Sequence, residues 1–111
     1  MTNEEIEAKV AELTAKYGAK VHPLVFKGDN EADQVVGFLK EPPRAMKLRI
    51  MDKALTEAVS SASVLVDAYL IKEESDARIY SELPENDKYY IGATVQAYKL
   101  IELSVNQFKK K

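Results

Sequence analysis

The stretch Val35–Val36–Gly37–Phe38–Leu39–Lys40–Glu41–Pro42–Pro43–Arg44 switches the chain from one periodicity to another. Up to Lys40 the pattern has period two: Val35 and Gly37 share one face of a strand, and Val36, Phe38 and Lys40 the other. Pro42 and Pro43 cannot donate to a sheet ladder, and their fixed φ suits the first turn of a helix. From Ala45 onward the apolar spacing lengthens to about three and a half residues. The switch points to an α+β fold and carries no reaction chemistry of its own.

Upstream of it, Val21–Phe26 reads as a partner strand. Pro23 confines that strand to an edge or a start position. Lys27–Gly28–Asp29–Asn30–Glu31 carries turn chemistry, so residues 21–39 form a β-hairpin with a longish loop. Two strands alone are marginal in water, so the hairpin must lie on helices or extend another sheet. Before it, Thr2 and Glu5 form a capping-box pattern, Ile6, Val10, Leu13 and Tyr17 recur at helical spacing, and Gly18 sits at a C′ position. The stripe is narrow. Residues 1–18 are therefore a helix that is either lightly docked or a partner-facing arm.

Downstream, Leu48, Met51, Leu55, Ala58 or Val59, Ala62, Leu65 or Val66, and Tyr69 follow one helical face. One helix over residues 42–70 would be about 40 Å long. Serine competes for backbone hydrogen bonds, and Ser60, Ser61 and Ser63 cluster at the midpoint, so a break is expected near Ser60–Ser61. Lys72 to Asp87 is a polar, acidic connector, pinned by Ile79–Tyr80 and Leu83. The last helix runs from Lys88 to about Gln107, with Ile91, Val95, Tyr98, Ile101 or Leu103, and Val105 inward. Gly92 and Ala93 permit a close helix crossing, and Lys109–Lys110–Lys111 places cations at the helix's negative end. The expected fold is α+β: a short β-hairpin packed on a small bundle of three to four α-helices, in a single domain over residues 1–111, with 42–108 as the helical part.

At 111 residues the chain can build a core without metal or disulfide help. It has no cysteine, which excludes thiolate zinc sites, disulfides and thiol nucleophiles. A net charge of −2 gives no reason to expect nucleic acid. The N-terminus is acidic where a signal peptide is basic, and no apolar run approaches about 18 residues, so the chain reads as soluble, intracellular and free of membrane contact. His22, the only histidine, precedes Pro23 at a strand edge and reads as a surface residue. Glu73–Glu74–Ser75–Asp76 lacks the alternating ligands and central glycine of a calcium loop. Of Tyr89 and Tyr90, one reads as core and the other as surface. No paired carboxylates, nucleophile–base pair or phosphate loop is found, so neither an enzyme nor a cofactor is expected. Lys40, Arg44 and Lys47, with Arg49 and Lys53, make the one local cationic excess: a solvated face, or a docking surface for an acidic partner.

Phe38–Leu39–Lys40–Glu41–Pro42–Pro43–Arg44, Leu65–Val66–Asp67–Ala68–Tyr69–Leu70, Glu74–Ser75–Asp76 and the closing helix around Tyr98–Leu100–Ile101 follow a recurrent order. In that order the chain resembles the tail assembly chaperones of long-tailed bacteriophages and prophages over residues 21–105. It departs from them at Pro43, where the family often has a small hydroxyl residue. The resemblance implies a non-enzymatic protein of the bacterial host's cytoplasm. Such a protein binds the tape measure protein, keeps it soluble while the tail tube assembles, and meets tail tube subunits. Because the one cationic excess lies beside the hairpin, the partner-binding residues expected are Phe38, Leu39, Lys40, Pro42, Arg44 and Lys47, and the edge strand marked by Pro23 makes self-association through the hairpin an assembly route. The alternative is a generic protein–protein interaction or regulatory module of a bacterium or mobile element.

Overall fold

The computed structural model describes residues 1–53 and 58–109, and side chains for residues 1–50 and 60–100. In chain order the elements are α1 (Asn3–Tyr17), β1 (Val21–Lys27), β2 (Gln34–Lys40), α2 (Arg44–Lys53), α3 (Ala58–Tyr69) and α4 (Asp87–Lys109), with one-turn 3-10 helices at Lys72–Glu74 and Pro84–Asn86. The expected hairpin packed on helices is the observed fold.

α1 begins as its sequence demands. The Thr2 hydroxyl accepts from the Glu5 amide at 3.1 Å, and the Glu5 carboxylate accepts from the Thr2 amide at 3.0 Å. It ends at Gly18, whose φ of 66° is the left-handed conformation a C-cap requires. The helix is docked rather than free. Ile6 and Leu13 are buried against Val21, Phe38 and Ile71.

The hairpin therefore has helices on both faces. β1 and β2 pair antiparallel with Val21 opposite Lys40 and Leu24 opposite Gly37. Val21, Val25, Val36 and Phe38 face α1, while Leu24, Val35 and Leu39 join Ile50, Ala62, Leu65, Val66, Tyr89, Ala93 and Ala97 on the other side. This three-layer arrangement buries adjacent residues of β2 at once, which a one-sided sheet would not.

The outer edge of β2 is covered by the connector after α3. The Ile71 amide donates to the Phe38 carbonyl at 2.8 Å and the Asp76 amide to the Val36 carbonyl at 2.9 Å. The Ser75 hydroxyl accepts from the Phe38 amide at 3.0 Å. Ile79 is buried over Gly37, where a β-carbon would lie 2.9 Å from its Cδ1. Ile79 pins the connector as expected, whereas Tyr80 and Leu83 are exposed.

Three expectations about the helices are corrected. Ser60 and Ser61 lie inside α3, so the helix does not break there: the Ser63 hydroxyl donates to the Ser60 carbonyl and the turn holds. Leu48 is exposed, and Ile50 is the buried residue of that stretch of α2. α4 turns Tyr89, Ala93 and Ala97 inward and leaves Ile91 and Val95 exposed. The small side chains let α4 approach its neighbours closely, and Gly92 meets the Phe26 ring of β1 rather than a helix: a β-carbon there would sit 2.4 Å from a ring carbon. The expectations for Met51, Leu55, Ala58, Val59, Ile101, Leu103 and Val105 concern side chains outside the described residues, and residues 54–57 between α2 and α3 also lie outside them. No helix among the described residues is long and apolar enough to cross a membrane.

Candidate functional site

The turn from β2 into α2 carries the residues expected to bind a partner, and the structure divides them. Phe38 is 1% exposed and Leu39 0% exposed, on opposite faces of β2 and in opposite halves of the core. Pro42 is buried as well. These three form the base of the site and do not line a groove, because helices cover both faces of the sheet. Lys40, Arg44 and Lys47 remain at or near the surface.

Each cation has a different environment. The Lys40 ammonium lies 4.6 Å from the centre of the Tyr17 ring, which Lys16 approaches at 5.4 Å. The Lys47 ammonium pairs with Glu41, whose other carboxylate oxygen meets Nε2 of His22. Burial pushes the Glu41 carboxyl up, but the bonds from Lys47 and His22 outweigh it and hold the group below its ordinary range. His22 is thus a half-buried residue that ties β1 to the start of α2, rather than a free surface histidine. Arg44 is exposed, and no ion pair or hydrogen bond involves its side chain among the described residues.

α2 is amphipathic with an unexpected outer face. Met46 and Ile50 turn toward the core, while Arg44, Lys47 and Leu48 are exposed, Leu48 at 56%. Residues four apart stand on one helical face, so Arg44 and Leu48 are neighbours there, with Lys47 beside them. The sequence reading assigned Leu48 to the core on periodicity. The sign it overlooked was the density of charge in Arg44, Lys47 and Arg49, which leaves little room for a second buried residue in that turn.

A second polar cluster lies at the hairpin tip. The Arg78 guanidinium grips Asp33 in a bidentate pair, both bonds at 2.9 Å, and donates to Asp76 from Nε at 3.1 Å and Nη2 at 2.9 Å. Its Cζ lies over the Tyr89 ring, 4.3 Å from the ring centre. These bonds hold Asp33 and Asp76 below the usual carboxylate range and push Arg78 up. Asp29 accepts from Lys88 and from the Tyr89 hydroxyl, and is lowered chiefly by the Lys88 bond. Every strong hydrogen-bonding group of this cluster is used internally, so it fastens the loop rather than offering a ligand site. An open hollow of about 340 Å³ lies between α3, the connector and α4, lined by Val66, Asp67, Leu70, Ile79, Tyr80 and Tyr90. Within it the Tyr90 hydroxyl donates to Asp67 at 2.9 Å; burial, then this hydrogen bond to Asp67, raises the phenol. Among the described residues no group of three His, Cys, Asp or Glu is placed to hold a metal ion. No family model, no curated protein and no solved structure matches this chain.

Proposed function

We propose that this chain is a non-enzymatic tail assembly chaperone of a phage or prophage. In this reading it acts in the host cytoplasm, binds the tape measure protein and keeps it soluble while tail tube subunits assemble around it. The observation that carries a binding role is the outer face of α2, where exposed Arg44 and Leu48 stand one turn apart beside Lys47. An exposed leucine flanked by cations suits an amphipathic helix that has apolar residues on one stripe and carboxylates at its border. The client's identity comes from the resemblance. What supports it is the element order of hairpin, basic Pro–Pro–Arg step, two helices, acidic connector and closing helix.

The contact set is therefore Arg44, Lys47 and Leu48; Phe38, Leu39 and Pro42 are buried, and Lys40 lies over the Tyr17 ring of α1. Co-expression with a tape measure fragment tests it. The wild-type chain is expected to move the fragment from the pellet to the soluble fraction, and Arg44→Glu combined with Leu48→Asp to abolish that transfer. All three contact residues are exposed, so the double variant is expected to fold normally by circular dichroism. A folded double variant that keeps the fragment soluble would place the client site elsewhere. A wild-type chain without effect on the fragment would remove the chaperone reading.

A further inference from the structure

β1 has an open edge, and the hairpin's own bonds define which backbone groups it offers. The Glu41 amide donates to the Lys20 carbonyl and the Gly28 amide to the Asp33 carbonyl. Bonded pairs alternate along an antiparallel ladder. In the observed register, His22, Leu24 and Phe26 thus bond to β2, while Val21, Pro23, Val25 and Lys27 point their amides and carbonyls away from it. The same parity turns Val36 and Phe38 outward on β2, where the connector satisfies them. Nothing equivalent covers β1: no outward group of β1 bonds to another element among the described residues. Pro23 falls at an outward position, so its missing N–H costs the hairpin no bond. Val21 is 2% exposed and out of reach, but Pro23 and Lys27 are exposed and Val25 is half-buried.

We propose that this edge pairs antiparallel with β1 of a second copy, about a two-fold axis at Val25. Val25 then faces the partner's Val25 and exchanges both amide–carbonyl bonds with it. Each Lys27 amide donates to the partner's Pro23 carbonyl. The alternatives are poorer. An axis at Pro23 sets two residues without donors face to face, and an axis at Leu24 needs the buried backbone of Val21. In the chosen register the one missing donor, that of Pro23, faces only a Lys27 carbonyl at the solvent-exposed end. A symmetric contact requires a self-complementary surface, and this segment is one. Two hairpins joined in this way become a four-stranded sheet, which removes the open edge from both copies. α4, which packs on β1 where Gly92 meets Phe26, also carries exposed Ile91 and Val95, apolar surface available to the same contact.

The pairing does not depend on the client, so it is tested on the full chain alone. Sedimentation over micromolar to millimolar concentrations is expected to show a shift from the 12.5 kDa monomer to twice that mass. Hydrogen exchange at the Val25 and Lys27 amides is expected to slow by about tenfold or more over the same range, while exchange at other exposed amides stays unchanged. Val25→Pro removes an outward N–H that the hairpin does not use, and should weaken dimerisation by about tenfold or more. A chain that stays monomeric overturns the proposal. So does a dimer in which the Val25 and Lys27 amides exchange at a concentration-independent rate, a readout that needs no variant to fold.

Discussion

Arg78 ties together parts of the chain that lie far apart in sequence: Asp33 from the hairpin loop, Asp76 from the connector and the Tyr89 ring from α4. The bonds from Arg78 lower both aspartates below their unfolded values. A carboxylate with a depressed folded pKa adds stability that is present above its unfolded pKa, about 4, and is lost as pH falls through the folded value. The urea midpoint should therefore fall steeply below about pH 4, and Arg78→Gln should flatten that fall by removing its cause. An unchanged pH slope in Arg78→Gln would assign the acid sensitivity to other carboxylates. Ser61 is the opposite case. Its hydroxyl is buried, at 4% exposure, and finds no hydrogen-bond partner among the described residues. An unpaired buried hydroxyl opposes folding, so Ser61→Ala should be neutral or stabilising by up to about 1 kcal/mol in urea melts. A loss of more than that would mean the hydroxyl is bonded in solution. Neither residue stood out in the sequence, because a lone arginine in an acidic connector and a serine in a serine cluster show nothing of their distant neighbours.

At the scale of the elements, local signals were read well and the rotation of helices was not. Thr2, Glu5 and Gly18 mark the ends of α1 through short-range hydrogen bonds and backbone preference, and both can be seen in a few residues of sequence. Turn chemistry between Lys27 and Gln34, with alternation on either side, did the same for the hairpin. The buried face of α4 depends on what it packs against. Tyr89, held by Asp29 and stacked under Arg78, turns Ala93 and Ala97 inward and Ile91 and Val95 out, against simple hydrophobicity. The two kinds of position should separate in denaturation experiments. Leu65→Ala, at a buried site of α3, should cost on the order of 2–5 kcal/mol. Val95→Ala should cost roughly 0.5 kcal/mol or less. Similar losses at both would mean that α4 is rotated from the orientation described.

For the whole molecule, the sequence made the α+β class legible but not the second helical layer. The sequence leaves α1 either lightly docked or an arm; it is docked, packing Ile6 and Leu13 against Val21 and Phe38 of the hairpin. That layer is what removes Phe38 from the surface and moves the candidate contact from the end of β2 to the outer face of α2. The basic residues Lys40, Arg44 and Lys47 could be located from charge alone, whereas Leu48 needed the packing of Met46 and Ile50 to show that it points outward. Amide chemical-shift mapping is the most direct test of the proposal that this outer face receives a helical client. On titration of the full chain with a tape measure segment, the amides of residues 44–48 should shift together and saturably, with little change along α1. Shifts confined to α1, or none at saturating segment, would contradict it.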